Sequence, residues 1–325
     1  MIPAPAAALQ PLRWRREAMA ARAGWRLDAG EALRDDAARL LRWADGVADP
    51  VAELRRGSVP LEGVPAVAAR IAGELDEGSG VAWVRGLGPI AEPALRLLYL
   101  AVGLELGETI DTYGRLYDVC DRGVSYRDTA VPVSQTREAT GMHTDSSGKD
   151  VCPRVVGLAC ARPAPSGGLS HLVSTAEVHE QLRAAHPELL ARLYGRFVRD
   201  IVTPSSDRSS ARVRDNAFPI FAWQGRLVFR YMRYWIERGH ARAEQPLEAR
   251  DRAAFDALDA ALAREDNVLP IQLAAGDLLF IDNTTIAHDR DAYVDDPSAP
   301  RLMLRLWLRR GDTAATQRHA ARPRK

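Results

Sequence analysis

Apolar and polar positions follow two different periods along this chain. Helical spacing marks residues 31–75, most clearly in "EALRDDAARLLRWADGVA", where apolar side chains recur every three or four positions. "GVAWVRGL" (80–87) is too short and too apolar for a surface helix and predicts a strand closed by glycine. "ALRLLYLAVGLEL" (94–106) is apolar all round, which fits a helix or another buried segment. Residues 107–142 are polar and rich in turn formers; long irregular stretches inside compact domains are often functional.

The second half is richer in strand patterns. "RVVGLACARPA" (154–164) predicts a buried strand, and "SGGLSHLVST" (166–175) a Gly-Gly turn and a short strand. Ser174 and Glu177 have the spacing of a capping box, so a helix should start there, and a second at Pro187. Residues 203–216 form a polar stretch that could close over a site. "GRLVFRYMRYWI" (225–236) predicts a strand, residues 248–266 a long helix, 268–283 a strand, turn and strand, and "RLMLRLWLRR" (301–310) a last strand. Short strands with helices between and around them suit a mostly β chain with flanking helices, a jelly-roll core. One domain over residues 1–325 is expected: an N-terminal helical region (1–79), a core with helical insertions (80–310) and a tail (311–325). No Gly-rich phosphate loop is present, so nucleotide-cofactor binding has no support.

Composition narrows the function by exclusion. A net charge of +1 on 325 residues gives no basic surplus for nucleic acid or a membrane surface. Three cysteines, Cys120, Cys152 and Cys160, lack metal or disulfide spacing. No secretory leader and no apolar run of membrane-spanning length is seen, which points to a reduced, cytoplasmic setting and a small-molecule substrate. Composition leaves oligomeric state open.

Candidate chemistry begins at "GMHTDSSG" (141–148), the only His-x-Asp in the chain. Taken alone it is a polar turn as readily as half a metal site. Of the seven histidines, His186 precedes a helix-starting Pro-Glu, His179 lies in a helix, His171 in a strand, and His240 and His319 in polar stretches. His288 differs: it lies just beyond the apolar "DLLFIDN", where function gathers at strand ends. His143, Asp145 and His288 would together supply two imidazoles and one carboxylate, a facial ligand set that leaves positions open on an iron ion. Zinc accepts the same ligands. In the last strand, Leu302, Leu304, Leu306 and Leu308 share one face; Arg301, Met303, Arg305, Trp307 and Arg309 share the other. Arginine interleaved with Met and Trp fits a pocket wall that clamps a carboxylate better than a solvated face.

These residues resemble the taurine dioxygenase and clavaminate synthase-like superfamily of Fe(II)- and 2-oxoglutarate-dependent oxygenases, over about Gly80 to Arg310. The resemblance rests on His-Thr-Asp, the Gly-Gly segment 166–174, "GDLLFIDNTTIAH", and Arg301-x-x-x-Arg305. It implies a double-stranded β-helix (jelly-roll) core, iron held by His143, Asp145 and His288, and the distal carboxylate of 2-oxoglutarate held by Arg301. Ser170 stands where the family commonly has threonine for that carboxylate. Arg305 stands where some members use a second arginine for co-substrate or substrate; a structural ion pair is the equal alternative. The implied chemistry couples O₂ and 2-oxoglutarate decarboxylation to oxidation of an unactivated C–H. Hydroxylation is the default, with desaturation, epoxidation or cyclisation as alternatives. The presence of Asp145 argues against halogenation. Substrate contacts are expected from Gln135, Thr136, Arg137 and Ser147, with Ser146 a further candidate. Strand alternation adds Tyr231 and Arg233, if that face looks inward. An inward Arg233 would suit a small amino acid or amino-acid-derived metabolite in natural-product biosynthesis. The readings from other classes are a non-redox jelly-roll binding protein and a zinc hydrolase.

Overall fold

A computed structural model describes residues 9, 12–127, 131–146, 148–201 and 207–310. Its centre is a seven-stranded mixed sheet. The order is Arg26–Asp28, Val81–Arg85, Leu278–Asp282, Val155–Arg162, Leu302–Arg309 and Glu108–Thr109, with Tyr117–Val119 also pairing the terminal strand. Only the first pair is parallel. A second sheet, Leu269–Ile271, Ser170–Ser174 and Ile286–Arg290, is antiparallel.

Alternation in the terminal strand explains how the layers assemble. Leu302, Leu304, Leu306 and Leu308 join a core with the helices Gly30–Ala44, Gly63–Asp76 and Glu92–Leu106. Glu92–Leu106 is apolar all round because it packs on both neighbouring helices and on the sheet. Buried Asp36 accepts the N–H groups of Glu62 and Val64, satisfying donors at the start of the next helix. Met303 and Trp307 point the other way. There they pack with Val156, Leu279 and Ile281 of the large sheet and with Leu172, Ile271 and Ile286 of the small one. The two sheets therefore share an inner core. Val173 and Ala287, on the outer face of the small sheet, pack under the helices Thr175–Ala185, Pro187–Leu193 and Ala249–Leu262.

Several expectations change here. Helices hold more of the described residues than strands do, so the architecture is a mixed sheet with helices rather than a mostly β one. The segment 225–236 is not one strand: Leu227–Phe229 ends early, and a helix, Arg233–Arg242, begins four residues later. Ser210–Asp215 of the polar stretch is helical, while residues 202–206, Ser147 and the tail from 311 lie outside the described residues. Ser174 caps its helix through the N–H of Glu177, but the reciprocal half of the box is missing. The Glu177 carboxylate is taken instead by Arg13 and Arg15.

Candidate active site

The metal-ligating candidates lie between the two sheets. His143 and His288 exchange a pair of backbone hydrogen bonds, each 2.9 Å, which splices the loop before residue 148 onto the edge of the small sheet. Thr144 is more than a spacer. Its N–H donates to the Tyr231 carbonyl and its hydroxyl accepts the Tyr231 N–H at 3.0 Å. Asn283, wholly buried, accepts the Asp145 N–H at 2.8 Å and donates to the Asp145 and Pro153 carbonyls at 2.9 Å. The loop is thereby held on both sides of the carboxylate.

His143, Asp145 and His288 each present one ligand atom within 4.8 Å of the others. Asp145 Oδ1 lies 3.7 Å from His143 Nε2 and 3.8 Å from His288 Nε2. The other oxygen is held: Trp307 Nε1 donates to Asp145 Oδ2 at 2.7 Å, and Arg305 Nη1 lies 3.4 Å from it. His143 Nδ1 lies 2.8 Å from the Gly141 carbonyl, which can only accept, so that nitrogen carries the proton and Nε2 keeps its lone pair. Burial and the neighbouring His288 push the His143 imidazole down to about 3, so it is neutral at ordinary pH. Burial alone would raise the Asp145 carboxyl, but Arg305 and the two imidazoles outweigh it and hold it well below the usual carboxylate range. A neutral imidazole at His143 and an ionised carboxylate at Asp145, with the His288 ring beside them, are donors of the kind a divalent ion takes.

A cavity of about 100 Å³, open to solvent, adjoins the triad. Apolar side chains from both sheets line it (Val156, Leu158, Leu172, Leu279, Ile281), and Arg301, Arg305, Arg290 and Ser170 supply its polarity. Arg301 is 3% exposed, its Nη1 has no hydrogen-bond partner, and its guanidinium lies 4.9 Å from the Tyr293 ring. A buried guanidinium with an open donor is built to meet an anion. Arg290 is different: its donors go to the carbonyls of Thr136, Glu138 and Asp291, tying down the segment that roofs the cavity. Arg305 is an ion-pair partner of Asp145, stacked 4.8 Å over Tyr117 and 4.7 Å over Trp307.

The expected substrate contacts fare less well. Tyr231 is buried and its hydroxyl donates to Asp259 at 2.7 Å, away from the cavity. Arg233 opens a helix and binds Glu237, Asp256 and Asp259. Both depart because the strand stops at Phe229, so alternation does not carry to them. Arg137 is exposed beside Asp121, and Gln135 donates to the Tyr117 hydroxyl; neither lines the cavity. Thr136 is wholly buried and offers its carbonyl to Arg290. Ser146 is buried, its hydroxyl donating to the Gly148 and Val151 carbonyls. Ser147 is outside the described residues. From the irregular segment the cavity takes Val119, Val133, Ser134 and Thr140 instead. Three of the other histidines are occupied: His171 by Asp289 at 2.7 Å, His179 by Tyr194 at 2.9 Å, and His240 by the Val198 N–H at 3.0 Å; His319 lies outside the described residues.

Known proteins resemble this chain in sequence and in fold. The chain is 27% identical over 317 residues to FR-33289 synthase of Streptomyces rubellomurinus (strain ATCC 31215), covering 91% of this chain and 88% of that protein. It is 33% identical over 181 residues to uridine-5'-phosphate dioxygenase of a Streptomyces species, covering 54% and 63%. Asparagine oxygenase, solved with Fe(II), hydroxyasparagine and succinate, superposes with a TM-score of 0.64 at 15% identity, over 87% of this chain and 93% of that one. The non-heme iron oxygenase OrfP, solved with Fe and alpha-ketoglutaric acid, gives 0.59 at 16% identity, over 91% and 97%. Residues 52–307 match the model of the taurine catabolism dioxygenase TauD, TfdA family, and the chain belongs to that family.

Proposed function

We propose that this protein is an Fe(II)- and 2-oxoglutarate-dependent dioxygenase in which His143, Asp145 and His288 hold the metal. The observation that carries the reading is the pairing of this convergent triad with a buried, open-handed Arg301 in one cavity. When bound, Fe(II) with 2-oxoglutarate supplies O₂-driven oxidation of a C–H bond, with hydroxylation the default outcome. Arg301 binds the distal carboxylate of the co-substrate, with the Ser170 hydroxyl beside it. Trp307 and Arg305 orient the Asp145 carboxylate so that Oδ1 faces the imidazoles. The apolar walls exclude water from the reacting centre.

The two facing sheets and their shared inner core support a double-stranded β-helix. The N-terminal helices packed on the large sheet support one domain. No helix among the described residues is long and apolar enough to cross a membrane. The substrate is a small metabolite. Arg233 no longer argues for an amino acid, but two structural relatives are complexed with a hydroxy-amino acid, and one sequence relative is a dioxygenase of uridine-5'-phosphate.

The test is anaerobic addition of Fe(II) and 2-oxoglutarate to the purified protein. A weak visible metal-to-ligand charge-transfer band is expected, lost in His143→Ala. No band in the wild type, or an unchanged band in that variant, refutes the reading. A succinate-release screen then ranks amino acids, nucleotides and their conjugates.

A further inference from the structure

The segment that roofs the cavity is fastened largely by one side chain. Arg290 ends the strand Ile286–Arg290 that carries His288, and is buried. Its guanidinium donates to the Thr136 carbonyl at 3.0 Å, to the Glu138 carbonyl, and to the carbonyl of its neighbour Asp291 at 3.1 Å. Backbone contacts complete the seam. The Arg290 N–H donates to the Thr140 hydroxyl at 3.1 Å, the Thr140 N–H to the Arg290 carbonyl at 3.2 Å, and the Tyr293 N–H to the Arg137 carbonyl at 3.2 Å. The carbonyls of residues 136, 137 and 138 are thus all taken by Arg290 and Tyr293. Val133, Ser134 and Thr140 of this roof line the cavity, so the position of the roof sets the space left for a substrate.

The same guanidinium stands close to Arg301. Both arginines line the cavity, and both pack on one ring: their guanidinium carbons lie 4.8 Å and 4.9 Å from the centre of Tyr293. The two charges are therefore within about 10 Å of each other, a range at which buried charges are little screened. The acids of this neighbourhood are engaged elsewhere: Asp121 with Arg137 at 3.9 Å, Asp289 with His171 at 2.7 Å, and Asp295 with the Arg301 N–H at 2.6 Å. Arg290 itself donates to neutral carbonyls. Its hold on the roof is thus opposed by the charge of Arg301 as long as Arg301 has no anion.

We propose that Arg290 is a positioning residue that ties the roof to the co-substrate: a carboxylate received by Arg301 offsets the second charge, and Arg290 then holds residues 136–140 firmly over the cavity. The inference rests on the dioxygenase reading, which places the 2-oxoglutarate carboxylate at Arg301. A purely structural Arg290 would fasten the roof equally with and without that anion. Lysine at this position keeps the charge but not the planar fork that spans two carbonyls, so it separates the two contributions.

The experiment is hydrogen–deuterium exchange of peptides covering residues 131–142 in anaerobic, Fe(II)-loaded protein, with and without 2-oxoglutarate at a concentration that saturates the charge-transfer band. In wild type the co-substrate should slow exchange of this segment at least about fivefold and leave the distant helix Gly30–Ala44 unchanged. In Arg290→Gln the rates with and without co-substrate should agree within about twofold, because no charge remains to be relieved. Arg290→Lys should keep part of the response. Arg301→Gln should slow exchange of the roof in the absence of co-substrate, because the opposing charge is gone. No slowing in wild type overturns the proposal. So does a response in Arg290→Gln equal to that of wild type, or roof exchange in co-substrate-free Arg301→Gln that is unchanged or faster. If Arg290→Gln fails to fold, the wild-type and Arg301→Gln comparisons still decide. A wild type that gives no charge-transfer band refutes the dioxygenase reading instead.

Discussion

Trp307→Phe isolates the tether that aims Asp145, the carboxylate proposed to bind the metal. The substitution keeps an aromatic ring in a buried position and removes one donor, the Nε1–H that reaches Asp145 Oδ2 at 2.7 Å. A hydrogen bond to a buried charged acceptor is worth about 1.5–3 kcal/mol. Arg305, 3.4 Å away, remains and keeps Asp145 ionised, so the loss falls on orientation rather than on charge. Freed from the indole, the carboxylate can turn Oδ1 away from the His143 and His288 Nε2 atoms. Loss of such an orienting partner costs about 10- to 100-fold in metal affinity, or about 1.4–2.7 kcal/mol, which matches the hydrogen-bond figure. The assay is anaerobic Fe(II) titration, followed by the charge-transfer band with 2-oxoglutarate in excess. Thermal melting of the metal-free protein serves as the control for packing. Metal affinity within about threefold of wild type, in a variant that melts normally, would refute the reasoning.

Other outcomes follow from single contacts. Arg301→Gln should raise the 2-oxoglutarate concentration needed for half-saturation at least about tenfold without lowering the metal-free melting temperature, because it removes a buried donor that has no partner; equal 2-oxoglutarate binding refutes this. Asn283→Ala strips three hydrogen bonds from the Asp145 loop and should cost about 2–4 kcal/mol in denaturant unfolding; a loss below about 1 kcal/mol would show that water replaces the side chain. The folded pKa of His143, about 3, lies below its unfolded value of 6.5, so the unfolded chain binds the extra proton between them. Its stabilising contribution is therefore complete above pH 6.5 and is lost as pH falls toward 3, with a slope approaching 1.4 kcal/mol per pH unit. Metal-free His143→Gln should show a flatter acid limb in a pH series of melting temperatures, and an identical limb refutes the assignment.

What the sequence revealed depended on how local the signal was. The alternation of "RLMLRLWLR" separates leucines that meet helices from the Arg, Met and Trp that face the inner core, because a strand's side chains obey a period of two whatever pairs with it. His288 stood out for another reason, as a histidine just past the apolar run "DLLFIDN", and the structure puts it inside a strand of its own, Ile286–Arg290. Tyr231 and Arg233 misled because alternation carries no mark of where a strand ends. Thr144, Asn283 and the indole of Trp307 were invisible as site residues: their partners lie far away in sequence, and no spacing rule joins them.

The terminal strand has a consequence for the order of events during synthesis. Leu302–Arg309 does not extend an edge; it inserts between Val155–Arg162 and the strands Glu108–Thr109 and Tyr117–Val119. Trp307 also reaches Asp145 across 162 residues of chain. Until this strand leaves the ribosome, two sheet edges stand open and the Asp145 carboxylate lacks the indole that holds it. Such late, non-local closure makes folding slow and the nascent chain dependent on protection of its exposed edges. A chain cut before residue 302 is therefore expected to be insoluble as well as inactive, rather than a weaker version of the same protein.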